Sequence, residues 1–146
     1  MNGILIIRQP RTEGEVNEMY DLRWLILRKP WGEPRGSERD DKEGEAIQFI
    51  ALLGENIVGT ARFHNITDRI GQIRYLAVEE VFQRKKIGAN IMQSIHMTAR
   101  NRRMRYIILN AWESALGFFK KFGYEVVEEG PTLFSEIRLF KMKKRL

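Results

Sequence analysis

The sequence predicts a single α/β domain, residues 1–146, built on a mixed β-sheet. Its 146 residues match the size of one typical domain, which holds roughly 100–200 residues. Hydrophobic residues make up 43% of the chain, which is enough to form a core. Strand-like and helix-like segments alternate in the order β-α-β-β-β-α-β-α-β-β, a pattern that is typical of α/β folds.

The first strand and the first helix have clear local patterns. Apolar, β-branched Ile4–Ile7 predicts a buried strand. Thr12 and Glu15 have the spacing of a capping box, which predicts that a helix begins just after Thr12. Its apolar residues recur at helical spacing as far as Arg28. Pro30 then ends the helix, because the residue before a proline disfavours helical backbone angles.

The middle of the chain predicts a loop and three strands. Gly32–Gly44 is polar and lacks apolar periodicity, so we interpret it as a mobile surface loop, with a lid over a substrate as the functional alternative. Ala46–Leu53 and Ile57–Phe63 flank a glycine-containing turn, as the two strands of a hairpin do. Ile70–Val78 is a third strand, which we expect to pair with Ile57–Phe63.

The second half predicts two helices and three strands. Ile87, Ile91 and Ile95 fall four residues apart and predict an amphipathic helix that ends near Arg103. The other predicted elements are a buried strand at Arg105–Asn110, a short helix at Ser114–Phe122 closed by left-handed Gly123, and strands at Tyr124–Val127 and Phe134–Met142 separated by Glu129-Gly130-Pro131.

Composition argues against several kinds of site. The chain has no cysteine, which excludes disulfides, cysteine nucleophiles and thiolate metal sites. It has two histidines, so we expect no histidine-rich metal site. No apolar run approaches the roughly 18–20 residues that span a bilayer, and no signal-peptide pattern is present. We therefore expect a cytoplasmic protein without a metal or a membrane partner.

Positive charge is concentrated in the second half of the chain. Residues 1–82 carry 11 basic and 14 acidic side chains, whereas residues 83–146 carry 14 basic and 5 acidic ones. This asymmetry indicates an anionic partner, either a nucleotide-like cofactor or a nucleic acid, with a solvated basic face as the alternative. A nucleic-acid-binding module is the weaker interpretation, because aromatic residues do not interleave with the basic run and no nucleic-acid motif is present.

A candidate anion site lies where the strand that ends at Val78 leads into the next helix. The loop between them is basic, and Gly88 lies where the helix begins. A helix N-terminus exposes unpaired N–H groups and the positive end of the helix dipole, which suits a diphosphate. Because glycine has no Cβ, it allows a phosphate to approach the backbone closely.

Two blocks of sequence resemble the GNAT acetyltransferase superfamily. Leu76-Ala77-Val78, Gln83 and Gly88-Ala89 resemble its acetyl-CoA signature, Q/R-x-x-G-x-G/A after a strand. A second block, Leu109-Asn110-Ala111 with Phe118-Phe119 and Phe122-Gly123-Tyr124, resembles the family's L-N-A…F-Y-x-x-x-G-F/Y segment. The resemblance covers nearly the whole chain. The segment Leu22–Gly32 further resembles a bacterial-type, single-domain subgroup.

The resemblance implies a mixed, mostly antiparallel sheet with splayed strands and flanking helices, and it implies acetyl-CoA as cofactor. Backbone groups on the splayed strand would pair with the pantetheine arm, and backbone amides of the loop would hold the diphosphate. Asn110 would face the cofactor, and the two phenylalanines would lie near the thiol. The residues assigned to acetyl-CoA are Leu76, Ala77, Val78, Gln83, Arg84, Lys85, Lys86, Ile87, Gly88, Ala89, Asn110, Phe118 and Phe119.

The implied activity is direct acetyl transfer to a primary amine of a small molecule or a peptide. The backbone N–H of Val78 would stabilise charge on the thioester oxygen, and a base would deprotonate the amine. Glu79, acting through water, is the base that we assign, with Glu80, His64 and Glu136 as alternatives. Dimers are frequent in the family, so a homodimer is an expectation that the sequence itself does not encode.

Three positions depart from the family pattern. Lys86 replaces the first glycine of the signature, although helical backbone angles would suit a lysine there. Phe119 occupies the catalytic position of the usual tyrosine acid, and a phenyl ring cannot donate a proton. Leu139 replaces a histidine that the subgroup often carries. The last two departures motivate an alternative: a protein that binds CoA with little or no catalysis.

Overall fold

The computed structural model describes residues 3–83 and 86–146. The three α-helices are α1 (Glu13–Leu27), α2 (Ile87–Asn101) and α3 (Leu116–Lys120). The seven strands are β1 (Leu5–Arg8), β2 (Ile47–Leu53), β3 (Asn56–Asn65), β4 (Ile70–Val78), β5 (Tyr106–Trp112), β6 (Glu125–Leu133) and β7 (Ile137–Arg145). The predicted sequence of elements is confirmed, with boundaries that shift by a few residues.

The strands form one mixed sheet in the order β1-β2-β3-β4-β5-β7-β6. Neighbouring strands are antiparallel except β4 and β5, which are parallel. A parallel pair needs a crossover connection, and α2 provides it. The predicted α/β fold with a mostly antiparallel sheet is therefore confirmed, as is the predicted pairing of β3 with β4.

Alternation along β2 places the two long helices on opposite faces of the sheet. Phe49 and Ala51 belong to the hydrophobic cluster that contains the buried face of α2. Ile50 and Leu52 belong to a separate cluster with Met19 of α1. Successive residues of a strand point to opposite faces, so α1 and α2 cover different sides. Any cavity that passes between two strands is consequently accessible to residues from both helical layers.

The last hairpin turns at a different place from the one predicted. Glu129-Gly130-Pro131 lies inside β6, where the register with β7 shifts, rather than between two strands. The chain reverses instead at Phe134 and Ser135, which have φ of 53° and 59°. Glycine and proline favour a turn but also tolerate an irregular edge strand, which is what β6 is. The predicted left-handed Gly123 after α3 is confirmed, with φ of 91°.

The segment 32–44 is a surface loop with most residues exposed, as the sequence predicts, but several of its acidic side chains are not solvated. Glu38 is 2% exposed. Asp40 and Glu43 both bond to the guanidinium of Arg62, and Glu43 also bonds to Arg23 at 3.0 Å. Both arginines are fully buried. The acidic residues that suggested a solvated loop are therefore the counter-charges of arginines from α1 and β3, which hold the segment against the sheet.

Candidate active site between strands β4 and β5

The parallel strands β4 and β5 separate halfway along their length. They pair from Ile70–Tyr106 to Ile73–Leu109 and no further. Beyond that point β4 remains paired with β3, and β5 remains paired with β7. The two strands therefore open into a V, as the family resemblance implies.

A bulge at Tyr75 accompanies this separation. Thr60 pairs with Ala77 and Arg62 pairs with Arg74, so two residues of β4 oppose one residue of β3. Tyr75 has a φ of 58°, which is rare for a residue with a side chain. Such bulges bend the strand that carries them, here near the point where β4 and β5 separate.

The opening contains a cavity of about 250 Å³ that passes through the sheet. Leu27 and Arg28 line it from the α1 side, and Phe118 and Phe119 line it from α3. The residues contributed by the two strands and by the last hairpin include Leu76, Leu109, Asn110, Trp112, Leu133 and Leu139. Residues from both faces of the sheet thus line the cavity.

Val78 presents its backbone to the opening. The N–H of the next residue, Glu79, donates to the carbonyl of Val58 on β3 at 2.8 Å. Consecutive residues of a strand direct their backbone groups to opposite sides, so those of Val78 and Leu76 face away from β3. The Gln83 side-chain amide donates to the Val78 carbonyl at 3.0 Å. The Val78 N–H is left facing the opening.

The N-terminus of α2 lies beside Phe118, a residue of the cavity wall. A Cβ placed on Gly88 would lie 3.3 Å from Cζ of Phe118 and 3.9 Å from Cγ2 of Val78. The first turn of α2 therefore lies against the Phe118 ring, which lines the cavity. Lys86, at the N-cap position, makes no side-chain capping hydrogen bond. Ile87 is buried and Ala89 is half-buried, whereas Arg84 and Lys85 lie outside the described residues.

The backbone of Lys86 corrects one expectation. The sequence interpretation assumes helical backbone angles at this position, but Lys86 has φ of 63° and ψ of 17°, which is left-handed. Glycine adopts that conformation without steric cost, whereas a residue with a Cβ does not. A glycine would adopt this backbone conformation without strain, whereas Lys86 adopts it at a steric cost.

We expect Lys86→Gly to be more stable than Lys86→Ala by about 1 kcal/mol in the free energy of unfolding. Both variants remove the same charge, so the comparison isolates backbone strain. In an ordinary helical conformation alanine would be the more stable of the two. Urea denaturation of the two variants measures the difference, and a more stable alanine variant would contradict the left-handed assignment.

The proposed cofactor residues of β5 and α3 differ in exposure. Asn110 is exposed on β5 and lines the cavity. Phe118 and Phe119 pack edge-to-face with ring centroids 5.1 Å apart, and Phe119 also packs against Tyr124 at 6.0 Å. Phe119 is 7% exposed, so this ring belongs to the core and to the cavity wall at once.

The four candidate bases lie outside the main cavity. Glu79 lines a separate pocket beside α1, together with Glu18 and Asp21. Glu80 and Glu136 are exposed. His64 is buried beside Arg62, and burial together with that positive charge lowers the pKa of the imidazole. Within the described part of the chain, no acidic side chain lines the main cavity.

Sequence reasoning missed Arg28 as a residue of the site. It immediately follows α1, lines the cavity and is 7% exposed. Its guanidinium carbon lies 5.2 Å from the centre of the Phe134 ring and 5.5 Å from that of Tyr75. The signal was present in the subgroup segment Leu22–Gly32, where an arginine stands directly before Lys29-Pro30.

Aromatic side chains form a second wall near Arg28. Trp112 lines the cavity. Trp31 packs edge-to-face against Trp112 at 4.8 Å and stacks on Phe134 at 6.0 Å. The structure places Trp112 in the wall and Trp31 directly behind it.

His96 and Tyr124 form a buried pair away from the cavity. The His96 Nε2 and the Tyr124 hydroxyl lie 2.8 Å apart. Burial, with help from Lys144 and Arg100, lowers the pKa of His96 to about 4. The imidazole is therefore neutral near pH 7, as a structural histidine would be. In the two described ranges there is no cluster of potential metal ligands and no helix long and apolar enough to cross a membrane.

Comparison with known proteins agrees with this geometry. The family described as "Acetyltransferase (GNAT) domain" matches residues 34–146. The uncharacterized N-acetyltransferase YjcF of Bacillus subtilis is 27% identical over 92% of this chain and 95% of its own length. A GNAT acetyltransferase of Elizabethkingia anophelis with acetyl-CoA bound has a similar fold, with a TM-score of 0.77, 15% identity, and coverage of 97% of this chain and 98% of that one.

An aminoglycoside 6'-N-acetyltransferase complexed with coenzyme A is also similar, with a TM-score of 0.82, 16% identity and coverage of 96% of each chain. The fold and the opened strand pair thus define an acetyltransferase architecture. The chain belongs to the GNAT acetyltransferase family. The predicted family and enzyme class are confirmed.

Proposed function

We propose that the protein acts as a single domain that transfers the acetyl group of acetyl-CoA directly to a primary amine. The observation that carries this proposal is the separation of β4 and β5 beyond Ile73 and Leu109, which opens a cavity through the sheet. Such a passage lets a thioester and an amine approach each other from opposite faces. Direct transfer needs both reactants in the site at the same time, and this arrangement allows that.

The residues at the opening fit acetyl-CoA. The Val78 N–H and the backbone of Leu76 face away from β3 into the gap, where an extended pantetheine arm could add as a strand does. Gly88 lacks the Cβ that would crowd Phe118, and its helix N-terminus offers N–H groups to a diphosphate. Asn110, Phe118 and Phe119 would bound the thiol end. Acetyl-CoA supplies the activated acetyl group there.

The chain's own contribution to the chemistry is electrostatic and acid–base. The Val78 N–H would donate a hydrogen bond to the thioester oxygen as negative charge develops on it. We retain Glu79 as the proposed base, acting through water, since it directly follows Val78 on the chain. A base is needed because only a neutral amine has the lone pair that attacks.

Phe119→Tyr is expected to change kcat by less than tenfold, equivalent to about 1.4 kcal/mol of barrier. The CoA thiolate is a reasonable leaving group near neutral pH, so a side chain that protonates it is not essential. The cavity also contains Tyr75, and burial raises the pKa of its phenol, which keeps it protonated. Steady-state rates of wild type and Phe119→Tyr with saturating amine measure the change in kcat. An increase well above tenfold would show that the missing acid limits turnover.

The proposal is tested by titrating acetyl-CoA into the purified protein by calorimetry, with free CoA as the comparison, and by measuring turnover with a panel of amines. Saturable one-to-one binding with turnover supports it. Tight binding without turnover on any amine would favour the CoA-binding alternative. No binding at millimolar acetyl-CoA would overturn the proposal. Binding to DNA or RNA that falls steeply with salt would instead favour the nucleic-acid alternative.

A further inference from the structure

The charge of the cavity points to the class of acceptor. Arg28 and Arg74 are the charged side chains that line the cavity in the described part of the chain, and both are positive. A cavity meant for a simple cationic amine would be expected to offer a carboxylate. Arg74 is paired with Asp40, so the charge of Arg28, unpaired within the described residues, is the one that would repel a second positive charge and attract a negative one. The inference that follows rests on the proposed function, since it concerns the amine that the same site accepts.

Arg28 differs from the other arginines around Tyr75. Four guanidinium groups lie within 5.5 Å of the Tyr75 ring centre, those of Arg23, Arg28, Arg62 and Arg74. Three of them pair with carboxylates: Arg23 with Glu43, Arg62 with Asp40 and Glu43, and Arg74 with Asp40. Arg28 pairs with no carboxylate in residues 3–83 and 86–146, and the four remaining residues have no acidic side chain.

The hydrogen bonds of Arg28 fix its orientation without neutralising it. Its Nε donates to the Ser37 carbonyl and its Nη1 to the Leu27 carbonyl, each at 3.0 Å. These two neutral acceptors hold the guanidinium in place beside the cavity, and Arg28 as a whole is 7% exposed. Burial of a charge without a counter-charge is costly, and a ligand anion would remove that cost.

We propose that the acceptor is a primary amine that also carries an oxyanion, a carboxylate or a phosphonate, and that Arg28 binds this group. A guanidinium matches the planar or tetrahedral arrangement of such oxygens and can donate two parallel hydrogen bonds to them. The wall formed by Trp112, Trp31 and Phe134 would contact the apolar part of the acceptor. Amino acids and aminoalkylphosphonates belong to this class.

The Arg28 site is separate from the proposed diphosphate site. Arg28 follows α1, whereas Gly88 begins α2, and these helices cover opposite faces of the sheet. The cavity joins the two faces at the point where β4 and β5 separate. An acceptor anchored at Arg28 would therefore approach from the side opposite to the proposed diphosphate site, with its amine directed into the shared cavity.

Matched amines that differ in one group provide the test. Phenylalanine is compared with phenethylamine and with phenylalanine amide, and 3-aminopropylphosphonate with propylamine, at saturating acetyl-CoA. We expect the oxyanion-bearing member of at least one pair to have a kcat/KM ten- to one-hundred-fold higher than the partner that lacks the oxyanion, as one charge-assisted contact can provide. Which pair shows the preference distinguishes a carboxylate from a phosphonate.

Variants and a binding measurement complete the test. Arg28→Lys keeps the positive charge but loses the planar guanidinium with its paired donors, and Arg28→Gln loses both. Each should raise KM for the anionic amine tenfold or more while the Kd of acetyl-CoA stays unchanged. Arg69→Gln, at an exposed turn, is the control expected to leave both constants unaltered. If Arg28→Gln fails to fold, titration of N-acetylphenylalanine and its amide into the wild-type protein measures the same preference without turnover.

The outcomes separate this inference from the proposed function. Turnover of amines that lack an oxyanion, with no preference for those that carry one, would overturn the role of Arg28 and leave the acetyltransferase proposal standing. Failure to bind acetyl-CoA would overturn the proposed function itself. A strong anionic preference that survives Arg28→Gln in a folded protein would also overturn the assignment to Arg28.

Discussion

Replacing Gly88 with valine is expected to weaken acetyl-CoA binding by at least about a hundredfold, roughly 2.7 kcal/mol. A Cβ at this position already lies 3.3 Å from Phe118, which is tight but can be relieved by a small shift of the ring. The two further carbons of valine have no such relief and would extend into the space where the diphosphate must meet the helix N-terminus. Calorimetric titration of acetyl-CoA measures the loss.

A matched control distinguishes a direct effect on acetyl-CoA binding from a general effect of valine on the start of a helix. Gly14 is the second residue of α1, as Gly88 is of α2, and both helices have 15 residues. A Cβ on Gly14 would meet its nearest neighbour, Oγ1 of Thr12, at an ordinary 3.7 Å. Gly14→Val should therefore leave the acetyl-CoA affinity unchanged, and Gly88→Ala should fall between wild type and Gly88→Val. An unchanged affinity in folded Gly88→Val would remove the cofactor-site assignment.

Arg62→Met is expected to lower the free energy of unfolding by about 3–5 kcal/mol at pH 7. Arg62 is fully buried and bonds to both Asp40 and Glu43. Its loss would leave these carboxylates close together, with Arg23 and Arg74 as their remaining partners. Because the pair of acids holds segment 32–44 against the sheet, the segment should also become accessible to protease. Urea denaturation and limited proteolysis measure the two effects.

The pH dependence of the stability lost in Arg62→Met tests whether the ion pair with Asp40 causes the loss. Burial raises the pKa of Asp40, but hydrogen bonds from Arg62 and from the Lys42 amide outweigh burial and lower that pKa to about 2. A lowered pKa gives stability that is complete above the unfolded value and is lost as the pH falls through the folded value. The difference between wild type and Arg62→Met should therefore shrink from about pH 4 to pH 2.

A second arginine provides the reference for this comparison. Arg138 pairs with Glu129 at 2.5 Å, but both side chains are more than half exposed. Exposed pairs are screened by water, so Arg138→Met should change stability little at any pH. Equal costs for the two replacements would mean that the buried cluster does not hold the loop in place.

Local patterns were sufficient to predict most of the secondary structure. The helix begins after Thr12 as predicted, and the Thr12 side chain accepts from the Glu15 amide. The Glu15 carboxylate accepts from the Arg11 amide rather than from the Thr12 amide, so half of the predicted capping box is formed. The four-residue spacing of Ile87, Ile91 and Ile95 corresponds to the buried face of α2. Both features depend on contacts within a few residues, and such contacts can be recognised in a sequence.

The errors occurred where distant residues decide the outcome. The acidic residues of segment 32–44 look solvated until Arg23 and Arg62, from other elements, are brought beside them. The turn at Phe134 and Ser135 lacks glycine, and pairing of β6 with β7 imposes its positive φ angles. Local preference is overruled in both cases, because tertiary contacts contribute more free energy than a residue's own conformational preference.

The sequence by itself determined the order of elements, the family, and the position of Gly88 at the start of α2. Each depends on residue types at short, regular spacing along the chain. Only the tertiary structure decided which charged side chains line the cavity. Separation of β4 from β5 and the pairing of the neighbouring arginines leave Arg28 buried beside it without a carboxylate in the described chain. Whether a charge is neutralised depends on the side chains that folding brings within bonding distance, and spacing along the chain does not encode that distance.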